Sequence, residues 1–255
     1  MAISLDSYLN NYRAASSVSQ MKLMSQMLDA QKTAQSFADT HKKNTATVNT
    51  MKKESAAFLS QYTTGMSQLS AAANKLAGGG ISKMLNNWEG NVTESAVKNT
   101  VGAVKDMVAS YNSNLKLLND NADRGPGVMT QMARMVTDPA PQEEMAQVGI
   151  SVNEDGTLAL DEEKLTAALK TEDADQRRRY EDIIGGYGGV ADNIRQDARA
   201  GLDTPVQKLV SSDVTKMQTI REEDPIRSYF KSIRSGGAYA LNNNAAMGIM
   251  MNMLA

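Results

Sequence analysis

From Leu5 to Leu76 the chain carries no proline and no alternating strand pattern. A stretch that long with neither proline nor strand alternation is compatible with little besides helix. Met21, Met24, Met27 and Leu28 make a first apolar stripe. The middle, from Gln31 to Lys53, is polar with Ala and Thr and is less periodic. The pattern then sharpens: Leu59, Tyr62, Met66, Leu69, Ala73 and Leu76 alternate three and four residues apart, the seam of a coiled coil or bundle. Gly78-Gly79-Gly80 closes it, since consecutive glycines make helix continuation costly. Aromatic residues are only 5% of the chain while methionines number 17, a composition suited to long, thin helices rather than a thick core.

A second seam follows Asn91-Val92-Thr93-Glu94, where Asn91 and Glu94 have the spacing of a capping box. Val97, Val101, Val104, Val108, Tyr111, Leu115 and Leu118 then form the cleanest heptad pattern in the chain. Gly125-Pro126-Gly127 breaks it. A short helix is expected from Val128 to Met135, with Met129, Met132 and Met135 on one side. Pro205 suits a first helical position, and Val206, Val210, Val214, Met217 and Ile220 give a third seam. Asp224-Pro225 marks a break before Ile226, Tyr229, Phe230 and Ile233. The segment Ala245–Ala255 is strongly apolar, too short to span a membrane, and expected to be buried in its own core or against other subunits.

Between the seams lies a different pattern, from Gly149 to Leu169. Ile150/Val152 and Leu158/Leu160 flank Asn153-Glu154-Asp155-Gly156, a strong hairpin signal. Asp161 is a good N-cap, and Glu162 and Glu163 suit the positive end of the following helix dipole. Leu165, Ala168 and Leu169 share one helical face. The unit expected is strand, turn, strand, helix.

Site chemistry is sparse. With no cysteine, disulfides, thiolate catalysis and Cys-containing metal sites are excluded. His41 is the one histidine and sits in a polar stretch with no partner at a recognisable spacing. No phosphate-binding loop, dinucleotide fingerprint or nucleophile elbow occurs. Ser151, Asn153, Asp155, Gly156 and Glu162 fall at EF-hand loop positions, but the first ligand should be Asp and the flanks should be helices, so a hairpin is the better reading. Arg177-Arg178-Arg179 lies among Glu172, Asp173, Asp175, Glu181 and Asp182 and reads as a solvated mixed-charge face. The net charge of −2 gives no electrostatic reason for nucleic acid or an anionic membrane as partner. The expectation is no enzyme, no cofactor and no metal.

The segment from Gly149 resembles the C-terminal portion of the bacterial flagellar filament cap family, hook-associated protein 2. That family carries Gly-Ile, then Asp-Gly-x-Leu-x-Leu-Asp-x-x-Lys-Leu-x-x-Ala-Leu. Gly149, Ile150, Asp155, Gly156, Leu158, Leu160, Asp161, Lys164, Leu165, Ala168 and Leu169 match it. Val108-Ala109-Ser110-Tyr111-Asn112 looks like the family's upstream Val-x-x-Tyr-Asn motif. The chain lacks the family's N-terminal Gly-Leu-x-Ser-Gly-Leu-Asp pattern and has no room for its large inserted β-rich domains. The resemblance implies a minimal cap-like protein or a paralogue. It would be a structural flagellar component, exported by the type III apparatus to the cell exterior, which agrees with the missing cleavable signal peptide.

The fold expected is mainly α. Long N- and C-terminal helices form a coiled coil or bundle around a small α+β module with a β-hairpin. The divisions expected are an N-terminal helical region (1–90), a cap-like module (91–200) and a C-terminal helical region with an apolar tail (201–255). The chain would form homo-oligomers through its helical ends, at Leu59, Met66, Leu69, Val210, Val214, Met217, Ile249, Met250, Met253 and Leu254. Other partners implied are flagellin or further axial proteins and an export chaperone, with no membrane insertion. The alternative is a cytoplasmic coiled-coil chaperone or regulator of flagellar export.

Overall fold

The computed structural model describes residues 5–85, 92–137 and 140–234 (of 5–16 and 232–234 the backbone alone). It is mainly helical, with one two-stranded hairpin. Helix α1 runs from Leu5 to Leu76, the whole stretch expected to be helical, and its polar middle is helical too. The chain divides into two compact units. One is Lys53–Val214; the other combines the residues before Lys53 with those after Val214.

The Lys53–Val214 unit is built on the end of α1 and on α3 (Glu94–Asp120), with α2 (Gly80–Leu85) between them. All seven residues of the α3 heptad pattern are buried. On α1 the seam holds from Tyr62 to Leu76, but at its start Phe58 is buried while Leu59 is half-covered. The larger ring takes the interior position. Helix α3 starts one residue after Thr93, whose hydroxyl accepts from Ala96 N at 3.2 Å. Thr93 is thus the cap, where Asn91 was expected; Asn91 lies outside the described residues. Glu94 becomes the first helical residue, and its carboxylate meets Lys170 at 3.2 Å. The two long helices approach closely at Gly65, where a Cβ would come within 2.2 Å of Asn114 Oδ1. The Asn114 amide donates to the Gly65 carbonyl at 3.1 Å.

Helix α4 (Pro126–Val136) buries Val128, Gln131 and Met135, leaving Met129 exposed, so the apolar side is turned from the Met129/Met132/Met135 face expected. After α5 (Gln142–Gln147) come β1 (Ile150–Val152) and β2 (Leu158–Leu160), antiparallel with Ile150 opposite Leu160. Gly156 sits at φ 80°, and its N–H closes the turn on the Asn153 carbonyl at 2.9 Å. The Asp155 carboxylate accepts from the Thr157 hydroxyl and amide, which hold it below the usual carboxylate range. Asp161 caps α6 (Glu162–Leu169), accepting from Lys164 N at 2.9 Å, and α6 buries Leu165, Ala168 and Leu169. Strand, turn, strand and capped helix therefore stand as the sequence implied. Glu162, at the last position of the EF-hand spacing, instead meets Lys105 at 2.6 Å.

The hairpin is held to α3 by two adjacent side chains. Tyr111 donates its hydroxyl to the Met135 and Gly156 carbonyls. Asn112 binds both backbone groups of Leu158. The Tyr-Asn pair and the hairpin segment, singled out separately in the sequence, are thus in direct contact.

Helices α7 (Ala174–Gly185) and α8 (Val190–Leu202) flank a glycine-rich interruption, Gly186-Tyr187-Gly188-Gly189. Arg177 corrects the reading of a fully solvated charged face. It is buried and donates to the Thr171 carbonyl at 2.8 Å, with Glu181 buried on the same helix; Arg178 and Arg179 are exposed. The third seam is also not one helix. A short α9 (Val206–Leu209) precedes a break at Val210 and then α10 (Ser211–Glu222). Val210 of the expected face is buried, but Val206 is exposed and Leu209, which lies off that face, is buried. Asp213, in the first turn of α10, accepts from Arg124 and from Ser55, each at 2.7 Å, while the Arg124 guanidinium lies 5.3 Å from the Phe58 ring centre.

Candidate assembly surface

The second unit pairs the α1 residues before Lys53 with the later part of α10 and with α11 (Pro225–Arg234). Asp224-Pro225 separates those two helices. A proline at the first helical position needs no N–H partner, and the residue before it can cap. Asp224 does this, accepting from Ile226 N at 3.1 Å and Arg227 N at 3.4 Å. The same carboxylate reaches across to α1. It meets His41 Nδ1 at 3.0 Å and Asn44 Nδ2 at 3.2 Å. Burial pushes the Asp224 carboxyl up, but the His41, Asn44 and Arg227 donors outweigh it, and the group ends below its ordinary range. One buried carboxylate thus fixes both the start of α11 and its register on α1.

One helical turn or two further along, Ile226 packs on Ala34, with Phe37 and Tyr229 around them. Asp224 faces His41 and Asn44 while Ile226 faces Ala34, so α11 runs antiparallel to α1. The apolar interior of this pair is thin. Ala34, Val48 and Ile226 are its buried apolar side chains among the described residues. Two helices alone give little such interior, because each leaves most of its circumference open.

Farther toward the start of α1, apolar side chains lie open. Val18, Met21, Leu23, Met24, Met27 and Leu28 are all between 52% and 72% exposed. The Met21/Met24/Met27/Leu28 stripe read from the sequence is therefore a helical face, with no described residue covering it. Contiguous exposed apolar residues of this kind mark interaction surfaces more often than isolated ones do.

The residues expected to form the assembly interface are not gathered in one place. Met66 and Leu69 are fully buried within the Lys53–Val214 unit, Val210 is nearly so, and Leu59 is half-covered there. Val214 is 41% exposed, and Met217 is half-covered. Ile249, Met250, Met253 and Leu254 lie outside the described residues. The sequence reading missed Asp224 and Asn44, and it saw His41 as partnerless. Asp224 is 183 residues from His41, beyond the reach of any local spacing rule. The one local signal was the Asp-Pro pair, which marks a helix start as well as a break.

Among the described residues no group of three acidic or histidine side chains is placed to hold a metal ion, and no helix is long and apolar enough to cross a membrane. Comparison with protein-family models, curated proteins and solved structures yields no match.

Proposed function

We propose that this chain is a structural, non-enzymatic component of the bacterial flagellum, similar to the filament cap, that self-assembles through its helical ends to cap or promote growth of the filament. The observation that carries the assembly half of this reading is the open apolar face of α1 from Val18 to Leu28. Apolar area left in water by one chain is recovered when chains associate, at roughly 25 cal/mol per Å² covered. The segment Ala245–Ala255, uncharged and methionine-rich, is a second apolar stretch suited to the same association. The flagellar half rests on the ordered match of the Gly149–Leu169 segment and on its contact with Tyr111 and Asn112.

In this reading the terminal helices act as the assembly elements, and the Lys53–Val214 unit is the module they carry. Ordering of the ends is offset by apolar burial between subunits. Flagellin or other axial proteins are the neighbours, and the protein works outside the cell after type III export. Deleting Ala245–Ala255 tests the assembly step. Light scattering should show the oligomer lost while the helical circular dichroism of the remainder persists; an unchanged oligomer size overturns the reading. Recovery of the protein only from the cytoplasmic fraction of flagellated cells overturns its export.

A further inference from the structure

At the elbow between α10 and α11, facing α1, is a cavity of about 520 Å³. Its apolar wall is Val48, Ile220, Ile226 and Phe230; its charged lining includes Arg221 and Arg227. Val48 and Ile226 are nearly covered already, whereas Phe230 remains 48% exposed, so the wall is formed but open at its edge. Neither guanidinium has an ion-pair partner among the described residues. Asp224, the carboxylate of the lining, is already saturated by His41, Asn44 and two backbone amides. The site therefore combines an apolar wall with two unneutralised cations.

We propose that this cleft docks an amphipathic helix of another protein, one that carries carboxylates beside its apolar stripe. A purely apolar ligand would leave both arginines without partners, and a small hydrophilic anion would leave the apolar wall wet. A helix supplies both at once: apolar anchors at i, i+3 and i+4 enter the cleft, and flanking Glu or Asp side chains reach the guanidiniums, which bind carboxylates in paired fashion. Packing into the cleft that α1, α10 and α11 already line lets ridges of the newcomer fill the groove between its hosts. The chain's own segment 235–255 is a poor occupant, because it contains no Asp or Glu. This site goes beyond the assembly proposed above and does not depend on it.

The test uses the full chain and a fluorescein-labelled synthetic helix of about 18 residues. The peptide has Leu at i, i+3, i+4 and i+7 and Glu on both flanks; its twins carry Gln or Lys in place of Glu. Fluorescence anisotropy should give micromolar binding of the Glu peptide, weakened about 10-fold or more with the Gln twin. The double variant Arg221→Glu, Arg227→Glu should lose the Glu peptide and gain the Lys twin, an exchange that mere damage to the fold would not produce. The milder Arg221→Gln, Arg227→Gln pair, checked for helicity, should also lose the Glu peptide. Three results overturn the proposal: no binding of the Glu peptide, equal binding of the Gln twin, or binding indifferent to both double variants. Sedimentation showing a dimer that dissolves with the arginine variants would also overturn it, assigning the cleft to a second copy of the chain.

Discussion

Asn112 pairs with Leu158 as one strand pairs with the next. Its Nδ2 donates to the Leu158 carbonyl at 2.8 Å, and its Oδ1 accepts the Leu158 N–H at 2.8 Å. A side chain of α3 thereby occupies the free edge of a two-stranded hairpin that has no third strand among the described residues. Asn112→Ala leaves a donor and an acceptor without partners and should cost about 2 kcal/mol in urea unfolding. Asn112→Asp should be no better near neutral pH, because a carboxylate cannot donate to the Leu158 carbonyl. Part of its loss should return in acid, where the protonated carboxyl can donate. Hydrogen exchange at the Leu158 amide should accelerate in both variants.

What could be read from the sequence divides along the range of the interaction. The hairpin turn at Asp155-Gly156 and the Asp161 cap are made within a few residues, and both were legible. The α3 heptad was legible because one continuous helix buries it. Failures occur where a distant element decides. Phe58 rather than Leu59 is buried because other helices close over the start of the seam. Val206 faces outward because the chain breaks at Val210. His41 has a partner because α11 returns along α1, and no local pattern encodes that return. The cleft with Arg221 and Arg227 was not seen for the same reason: its wall needs Val48 from one end of the chain and Phe230 from the other.

Arg124 and Asp213 form an ion pair at 2.7 Å with little solvent access. Ser55 donates to the same carboxylate oxygen at 2.7 Å, and Phe58 covers the guanidinium. Removing one member of such a pair leaves the other charge poorly solvated. Arg124→Ala should therefore cost about 3 kcal/mol. Arg124→Met with Asp213→Leu should recover much of that loss, since it removes both charges and keeps the volume. A chemical-denaturation cycle over the four proteins measures the difference. If the double variant is as unstable as the sum of the singles, the pair is not what holds the first turn of α10 within the Lys53–Val214 unit.

Asp197 on α8 gives a pH dependence of unusual sign. Burial pushes its carboxyl up to about 6, partly offset by Arg134. The folded chain therefore holds this proton more tightly than the unfolded chain, whose carboxyl titrates near 3.8. Its contribution is fully present below the lower value and is lost as pH rises through the upper one. Asp197→Asn should be close to neutral at about pH 4 and stabilising by on the order of 1 kcal/mol near pH 7.5, a figure discounted for the group's partial exposure. Thermal melts of both proteins across that interval should converge at the acid end and separate at the neutral end.

Asp224 works in the opposite direction. Its folded carboxyl titrates below the ordinary value, so its stabilisation is present above about pH 4 and fades as pH falls through the depressed value. Asn44→Ala and His41→Ala each remove one donor across the helix pair. Each should loosen α11 by about 1 kcal/mol while leaving the Lys53–Val214 unit unchanged. Hydrogen exchange resolved to peptides distinguishes the two regions. Protection should fall in residues 220–234 and persist in α3. Equal loss in both would mean that the His41–Asp224 contact supports the whole chain and not the register of its end.

The open face of α1 sets the last expectation. Met21 and Met24 are 62% and 72% exposed, so replacing both with Lys should change the stability of the single chain by less than about 0.5 kcal/mol. If other subunits cover that face, the same change carries a large cost in association. A methionine that goes from exposed to fully covered contributes roughly 2 kcal/mol, so losing two should weaken association about 100-fold or more. Sedimentation velocity over a concentration series reads the second effect, and circular dichroism melts read the first. Helix propensity cannot produce the difference, because Lys and Met are nearly equal helix formers. Unchanged association would leave the stripe as solvated surface and move the assembly contact elsewhere on the chain.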